Sequence, residues 1–280
     1  MMNQLKTIFF LGILSAILVA VGGAIGGLRG AMGFLIFSLL MDFFQYFNSA
    51  KLVIRSTGAF PISEREAPEL HQMVRQLAKR AEIPMPALYI MPTPQPNAFA
   101  TGRNPENAVV VVTQGLLGAL RGNELEGVLA HEISHIKNRD ILISTLAAGI
   151  AGLISSIASL AQWLLIFGMG RDDRDGDGAA GFLMIILAPI AALIVQLAVS
   201  RSREYLADET AAHLTGNPKA LASALLRLED GAKRIAMQQA TPSMAHMYIV
   251  QPTAGEWLKD LFSTHPSTQS RVERLQTMVL

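Results

Sequence analysis

The sequence contains no cysteine among its 280 residues and few charged side chains. The absence of cysteine excludes disulfide scaffolds, thiol nucleophiles and cysteine-ligated zinc sites, so any metal must be held by His, Asp or Glu. Basic residues number 23 and acidic residues 22, which gives a net charge of +1. The chain therefore lacks the basic excess that nucleic-acid binding requires, and we expect no nucleic-acid partner.

Charged residues are only 16% of the chain, whereas soluble domains contain about a quarter. Hydrophobic residues are 51% and the mean hydropathy is +0.35. Four apolar stretches account for the excess, at Ile8–Leu28, Ala31–Phe47, residues 141–170 and Gly178–Ser200. A helix needs about 20 apolar residues to cross a bilayer. The first, third and fourth stretches meet this length, and the shorter second stretch is interpreted as the returning arm of a hairpin. The sequence thus predicts four transmembrane helices and a lipid bilayer as a partner.

Basic residues flank these stretches on one side, and they predict the orientation. They are Lys6, Lys51, Arg55, Lys137, Arg139, Arg201 and Arg203. The turns on the other side hold only Arg29 and the acidic segment 171–177. Because basic residues stay in the cytoplasm, both termini and all remaining sequence are expected there. The predicted division is a transmembrane hairpin at 1–50, a soluble half at 51–140, an inserted hairpin at 141–200 and a second soluble half at 201–280.

The soluble halves predict a mainly helical α+β domain with a small sheet. Predicted helices are Glu64–Glu82, one from Asn123 toward Asp140, Arg201–Leu214, one capped by Asn217 and Pro218, and Gln269–Met278. Predicted strands are Ala87–Met91, Asn97–Thr101 and Ala108–Val112. Asn123 and Glu126 have the spacing of a capping box at the start of their helix.

A His-Glu-x-x-His motif lies in the helix that begins at Asn123, with His131, Glu132 and His135. Residues four apart share one face of a helix, so both imidazoles can bind the same metal ion. Zinc accepts imidazole nitrogen, and it lowers the pKa of a bound water toward neutrality. Glu132 is placed to take a proton from that water, and the motif therefore indicates hydrolysis. The alternative is a helix that simply packs two polar histidines, at a desolvation cost that a metal would remove.

A catalytic zinc site needs a third protein ligand. Glu204 and Asp208 lie four residues apart on the helix after the last apolar stretch. One of these carboxylates can bind the metal while the other orients a ligand histidine. The alternative is a solvated acidic face paired with Arg201 and Arg203.

Together these features resemble the HtpX-type membrane zinc metalloproteases, which are related to the CAAX prenyl endopeptidases. The resemblance covers essentially the whole chain and rests on the motifs Asn97–Gly102, His131–His135, Arg203–Asp208 and Thr264–Ser267 with the following Arg271. It implies a zincin-like catalytic domain that binds one Zn²⁺ per chain, with His131, His135 and Glu204 as ligands, Glu132 as the base and Asp208 supporting a ligand histidine.

The resemblance also implies that Asn97 and His265 contact the substrate backbone or the developing oxyanion. The residues alone leave this open. Asn97–Thr101 can be an edge strand that pairs with an extended peptide or an ordinary loop, and His265 can be a helix-entry residue. His71, His213 and His246 are interpreted as surface or packed residues.

The resemblance further implies cleavage of misfolded or damaged membrane proteins, as part of the stress response of a bacterial inner membrane. Two alternatives stay open at this point. One is a processing peptidase with defined cleavage sites, for which four spans are few. The other is a membrane scaffold with a structural zinc, which would need a fourth protein ligand that the sequence does not offer.

Overall fold

The structure is a computed structural model that describes residues 2–146, 201–234, 249 and 266–280. Its helices are α1 (Met2–Thr57), α2 (Pro68–Ala81), α3 (Gln114–Ala119), α4 (Asn123–Lys137), α5 (Arg201–Thr215), α6 (Pro218–Arg234) and α7 (Thr268–Thr277). Its strands are β1 (Phe60–Pro61), β2 (Ala87–Met91), β3 (Ala98–Thr101) and β4 (Val109–Thr113). A 3₁₀ turn at Pro105–Asn107 precedes β4, and residues 141–146 are helical. A mostly helical fold with a small mixed sheet is therefore confirmed.

Helix α1 is a hairpin of two helical arms that meet at Gly26 and Gly27. Gly27 has φ of 56° and ψ of −144°, a combination that only glycine adopts readily. The Ser15 hydroxyl donates to the Asp42 carboxylate at 2.8 Å across 27 residues, so the arms run side by side. The sequence places the turn at Arg29, whereas the structure reverses the chain slightly earlier, at the glycine pair.

The second arm of α1 presents apolar side chains outward. Within the part of the chain that is described, Gly26–Phe44 is the segment long and apolar enough to cross a membrane. Its exposed side chains, with those just after it, include Leu28, Met32, Ile36, Phe37, Leu39, Leu40, Phe43, Phe44 and Phe47. The arm that the sequence marks as the weakest span thus has the required length and composition. The third and fourth predicted spans fall almost wholly on residues 147–200, outside the described residues.

The strands form a mixed sheet in the order β1-β2-β4-β3. β2 runs parallel to β4, with Ala87 opposite Val109, while β1 and β3 are antiparallel to their neighbours. The three strands that the sequence predicts are confirmed to within one residue at each end. Among the described strands, β3 pairs with β4 alone and therefore forms an edge of the sheet.

Strand β4 reads Val-Val-Val-Val-Thr and is buried throughout, because both faces of the sheet are covered. Successive strand residues point to opposite faces. Val110 and Val112 belong to the main core with the helices, whereas Val109 and Val111 join a smaller cluster that includes Val53 near the end of α1. The apolar hairpin is thus attached to the back of the sheet, and α4 contacts α2, α5, α6 and β3 on the front.

One predicted helix start and one predicted capping box are wrong, each for a local reason, although α4 does begin at Asn123 as predicted. Helix α2 begins at Pro68 rather than Glu64, because the Glu66 carboxylate accepts from the Ser63 amide at 2.8 Å and closes a separate turn. Helix α4 has no capping box. Its N-cap is Gly122 with φ of 54°, and Glu126 donates its backbone N–H to the Gly122 carbonyl. The cap at the start of α6 is confirmed, since the Asn217 side chain accepts from the Ala220 amide at 3.1 Å.

Candidate active site

Helix α4 places His131 and His135 on one face, in the middle of the domain. Their Nε2 atoms lie 3.1 Å apart. His131 and the neighbouring Glu132 are buried, and His135 is partly buried. Leu129 and Ile133 pack into the main core, and this packing fixes the rotation of α4 and therefore the face that carries the histidines.

Glu204 on α5 completes a group of three ligand atoms within 4.8 Å of one another. Its carboxylate oxygens lie 3.7 Å from His131 Nε2 and 3.6 Å from His135 Nε2. Zinc bonds of about 2.0–2.1 Å in a tetrahedral arrangement give ligand–ligand edges of about 3.3–3.4 Å. The three donors therefore fit a zinc-sized cation without rearrangement of the backbone.

A carboxylate contacts the other nitrogen of each imidazole. His131 Nδ1 lies 2.9 Å from Asp208, and His135 Nδ1 lies 3.1 Å from Asp140. When each Nδ1–H donates to its carboxylate, the neutral imidazole is fixed in the tautomer that leaves the Nε2 lone pair available. Both lone pairs then point at the same place, and a cation between them relieves their repulsion.

The end of α4 explains how Asp140 reaches His135. Arg139 has φ of 56°, and its N–H donates to the Ile136 carbonyl while Asp140 donates to the His135 carbonyl. These are the two hydrogen bonds of a Schellman motif, a helix ending that usually has glycine where Arg139 stands. The motif folds the chain back, so the Asp140 side chain lies beside the last histidine of the helix.

Arg271 on α7 lies next to Glu204 and Asp208 of α5 and to His131 of α4. It is 2% exposed and donates to Asp208 twice, from Nε at 2.8 Å and from Nη2 at 2.6 Å. The same Nη2 lies 3.3 Å from His131 Nδ1, and Nη1 lies 3.7 Å from Glu204. Arg271 therefore holds Asp208 in position and supplies a positive charge beside the candidate metal ligands.

The described residues around the site carry more negative than positive charge when the imidazoles are neutral. The carboxylates are those of Glu132, Asp140, Glu204 and Asp208, and the guanidinium groups are those of Arg203 and Arg271. This leaves an excess of two negative charges, which a divalent cation would neutralise. A buried ionic group is stable only when such compensation is present.

The charged side chains around the site also shift the pKa values of its titratable groups. Burial disfavours the charged imidazole, but Asp140 outweighs this effect and raises the pKa of His135 to about 10. Burial and Arg271 lower the pKa of His131, and hydrogen bonds to Asp208 and Glu204 more than reverse them. Surroundings that favour a proton on these nitrogens favour a metal cation in its place.

Glu132 is 2% exposed, and burial raises the pKa of its carboxyl group. The positive charges of His131, His135 and Arg271 act in the opposite direction. A carboxylate whose pKa is moved toward neutrality, next to a metal site, suits a group that must both take and release a proton.

The structure brings Asn97 to the edge of the sheet beside this site, directly before β3. Its N–H donates to the Thr113 hydroxyl at 2.8 Å, and its side-chain oxygen accepts from the Ile249 amide at 3.1 Å. His265 lies outside the described residues, as does His246. The remaining histidines are apart from the site, with His71 Nε2 2.9 Å from the Ile62 carbonyl oxygen and His213 exposed on α5.

Comparison with known proteins now identifies the family. The sequence profile of peptidase family M48 matches residues 64–279, a range that contains the whole ligand set. The chain belongs to peptidase family M48. It is 55% identical to a protease HtpX homologue of Pelotomaculum thermopropionicum over 100% of both chains. It is also 50% identical to a protease HtpX homologue of Pyrococcus furiosus, covering 98% of this chain and 96% of the relative.

Among solved structures, the M48 chain matches the crystal structure of S. mikatae Ste24p with a TM-score of 0.53 at 19% identity. The match covers 98% of this chain and 65% of Ste24p, so this chain spans about two thirds of the length of that protein. At 19% identity, this match shows a similarity of fold alone. The predicted resemblance to HtpX-type proteases is confirmed, and the chain is a metalloprotease.

Sequence reasoning assigned no role to two residues of this M48 site, Asp140 and Arg271. Asp140 could have been suspected because it is the first acidic residue after His135. Its contact with His135 Nδ1, however, depends on the positive φ of Arg139, which the sequence does not indicate. Arg271 was noticed only within the family motif, and its contacts with Asp208 and His131 depend on how α7 packs. The alternative of a solvated acidic face on α5 is wrong, since Glu204 and Asp208 are both buried.

Proposed function

We propose that this M48 peptidase is a membrane-bound zinc endopeptidase that cleaves misfolded or damaged membrane proteins on the cytoplasmic side. The observation that carries the proposal is the convergence of His131, His135 and Glu204 within 4.8 Å, beside the buried carboxylate of Glu132. Two histidines and one acid would give a zinc ion three protein ligands, the number found in catalytic rather than structural sites.

His131, His135 and Glu204 hold one zinc ion per chain in this proposal. Bound zinc supplies a Lewis acid that polarises the peptide carbonyl and acidifies water. Glu132 takes the proton from the attacking water and delivers it to the leaving amine. Its buried position supports both steps, because burial raises the pKa of the carboxyl group toward the range in which it exchanges protons at neutral pH.

Asp208 and Asp140 orient the ligand histidines. Each accepts a hydrogen bond from an Nδ1 atom, which directs the opposite Nε2 atom toward the zinc site. Arg271 fixes Asp208 through two hydrogen bonds. In this role the two aspartates act through the histidines.

Asn97 and His265 are proposed to contact the substrate. Support for Asn97 is its buried position beside an edge strand, where an extended peptide would add by main-chain hydrogen bonds. His265 is assigned from the family resemblance, as a donor to the developing oxyanion.

Attachment to a bacterial inner membrane, with several spans and a cytoplasmic active site, is part of the proposal. The exposed apolar surface of Gly26–Phe44 supports it, because such a surface is stable against lipid rather than water. The division into hairpins at 1–50 and 141–200 and catalytic halves at 51–140 and 201–280 is proposed on the same grounds.

The chemistry is tested with Glu132→Gln, which is nearly isosteric and cannot accept the proton. Purified in detergent, this variant should cleave casein and an unfolded membrane protein about 1,000-fold more slowly than the parent enzyme, a loss within the usual range of about 100- to 10,000-fold for one acid–base group. Bound zinc, measured by elemental analysis, should stay at one per chain. Glu126→Gln on the same helix is the control and should cleave normally. Undiminished cleavage by Glu132→Gln would refute the assignment.

The ligand set is tested separately with His135→Ala and with chelators. Either treatment should abolish cleavage, and only the chelated enzyme should recover when zinc is added. In Glu132→Gln, saturation with zinc should raise the free energy of unfolding by about 4 kcal/mol at a thousandfold excess over Kd. The exposed His213→Ala is the matched control, and zinc loss from it equal to that of His135→Ala would overturn the site.

A further inference from the structure

Asp42 is the only acidic residue in the apolar segment Gly26–Phe44 of α1. Its carboxylate lies where the two arms of the hairpin meet, and Oδ2 accepts a hydrogen bond from the Ser15 hydroxyl at 2.8 Å. Among the described residues, Ser15 is the one hydrogen-bond partner of Asp42, and no cation pairs with it. The second oxygen, Oδ1, thus has no bond within the described chain. A carboxylate in hydrocarbon is costly, and such residues usually mark a functional site.

The position of Asp42 along the second arm places it inside the apolar layer. At 1.5 Å per residue, it lies about 24 Å along the helix from Gly26. Large apolar side chains stay exposed beyond it, from Phe43 to Phe47, over a further distance of about 8 Å. The next basic residue is Lys51, about 13 Å past Asp42. A lipid headgroup at the level of Lys51 therefore does not reach the carboxylate.

The Asp42 side chain is also accessible from the side of the hairpin. It is partly exposed, and its neighbours Leu39 and Phe43 are exposed apolar residues. Ser38, one turn earlier, is by contrast buried and donates to the Leu35 carbonyl of its own helix at 2.9 Å. The carboxylate therefore stands out as a single polar group within an apolar surface. Transmembrane helices associate through surfaces of this kind, by close packing and by polar contacts between helices.

A second copy of this chain does not supply the missing cation. Copies inserted with the same orientation have parallel arms, so equivalent residues lie at the same depth and Asp42 would face Asp42. The other charged residue of the segment, Arg29, lies about 20 Å nearer the turn of the hairpin. A positive partner at the depth of Asp42 must therefore come from a different protein.

We propose that Asp42 binds a Lys or Arg side chain within a transmembrane helix of the substrate. The proposal rests on the proposed function and names the class of membrane protein that the hairpin selects. In an assembled membrane protein, a basic residue at this depth faces the bundle interior and is paired there. Misfolding or the loss of a partner subunit exposes it to lipid. Asp42 then offers an opposite charge in surroundings of low dielectric constant, where the attraction is much stronger than in water.

The test uses the full-length, zinc-loaded Glu132→Gln variant in phosphatidylcholine liposomes, where it binds without turnover. The probe is a transmembrane peptide of about 23 residues, made of Leu and Ala, with one Lys about 8 Å inside the end of its apolar stretch. The reference peptide has acetyl-lysine at that position, which keeps the length and removes the charge. Since the chain has no cysteine, Lys51→Cys provides a single site for a dye, and energy transfer measures binding. The Lys peptide should bind at least about tenfold more tightly than the reference. Equal affinities would overturn the proposal.

Two substitutions separate this role from a purely structural bond between the arms. Asp42→Asn can still accept from Ser15 but has no charge, and it should abolish the preference for the Lys peptide. Ser15→Ala breaks the bond between the arms but keeps the charge, and it should retain the preference, as should Asp42→Glu. Affinity for the reference peptide equal to that of the parent shows that each hairpin is intact. A preference that survives Asp42→Asn, or that Ser15→Ala abolishes, would refute the site.

Failure of this proposal and failure of the proposed function give different results. The peptide measurement depends on the hairpin and on no catalytic step. Loss of zinc binding or of casein cleavage would therefore count against the proposed function alone. An enzyme that cleaves casein and shows no preference between the two peptides would count against the role of Asp42 alone.

Discussion

Two helices of this M48 peptidase depart from the usual rule that apolar side chains are buried and charged ones exposed, and each departs from a different half of it. The second arm of α1 exposes large apolar residues, with Leu40 65% exposed, whereas α4 buries Glu132 and His131 at 2% and 1%. Exposed apolar surface of this extent requires a covering partner, and buried charge requires compensation. The two helices are therefore both incomplete without something else. For α1 we propose lipid, and for α4 a divalent cation.

The comparison between α1 and α4 shows that the buried residues of such a protein are not all apolar and that its apolar residues are not all buried. The smaller apolar cluster around Val111 joins α1 to the sheet, and the same sheet supports α4 through β3. The hairpin and the site are thus attached to opposite faces of four short strands. Substitutions on α1 should therefore affect attachment to lipid, whereas substitutions on α4 should affect the stability of the catalytic domain in detergent.

The largest effect is expected when the buried ion pair between Arg271 and Asp208, which lies beside α4, is removed. Arg271→Met should lower the free energy of unfolding by about 3–5 kcal/mol, because it leaves Asp208 buried without its cation. Arg274→Met on the same helix removes only a guanidinium that stacks at 4.2 Å on Tyr205, and should cost about 0.5–1 kcal/mol. Denaturant unfolding of the two variants in detergent provides the measurement. Equal losses would show that Arg271 is not paired as described.

A pair of leucines tests the comparison directly. Leu129→Ala removes a side chain that is 0% exposed on α4 and should cost about 2–5 kcal/mol in detergent. Leu40→Ala removes one that is 65% exposed on α1 and should change the stability of the catalytic domain by less than about 0.5 kcal/mol. Leu40→Lys should weaken retention in lipid vesicles, as measured by flotation. Retention equal to that of the parent chain would contradict lipid contact at this position.

The smallest effect concerns the orientation of a ligand. Asp140→Asn keeps the shape of the side chain but weakens the hydrogen bond to His135 Nδ1, and should lower zinc affinity by about 10–100-fold without unfolding the domain. Asp230→Asn, an exposed residue of α6, is the control and should bind zinc normally. Competition with a chromogenic chelator measures both affinities. Parent-like affinity in Asp140→Asn would remove Asp140 from the site.

Much of the fold and the candidate ligand set follows from local patterns. The strand at Ala87–Met91 is bounded by prolines and was predicted to the residue, and His131 with His135 is placed by helical periodicity alone. Glu204 needed a further argument, that an incomplete metal site requires a third donor. The structure brings these residues together, and their assignment as zinc ligands remains the proposal made above.

The remaining contacts depend on tertiary packing or on unusual backbone conformations. Gly122 and Arg139 begin and end α4 with positive φ, which a pattern of apolar residues does not reveal. Arg271 lies 63 residues from Asp208, and nothing in their spacing indicates that they pair. The turn in α1 lies at Gly26 and Gly27 rather than at Arg29, and five glycines between positions 22 and 30 leave several places where the chain could reverse.

The groups that meet around the ligand set come from positions as far apart in the chain as Asn97 and Arg271. Ribosomal synthesis runs from the N-terminus, so the histidines of α4 emerge long before Glu204 and the α7 arginine. A growing polypeptide of this kind therefore lacks part of the site until the residues of α7 have been synthesised and packed against α5.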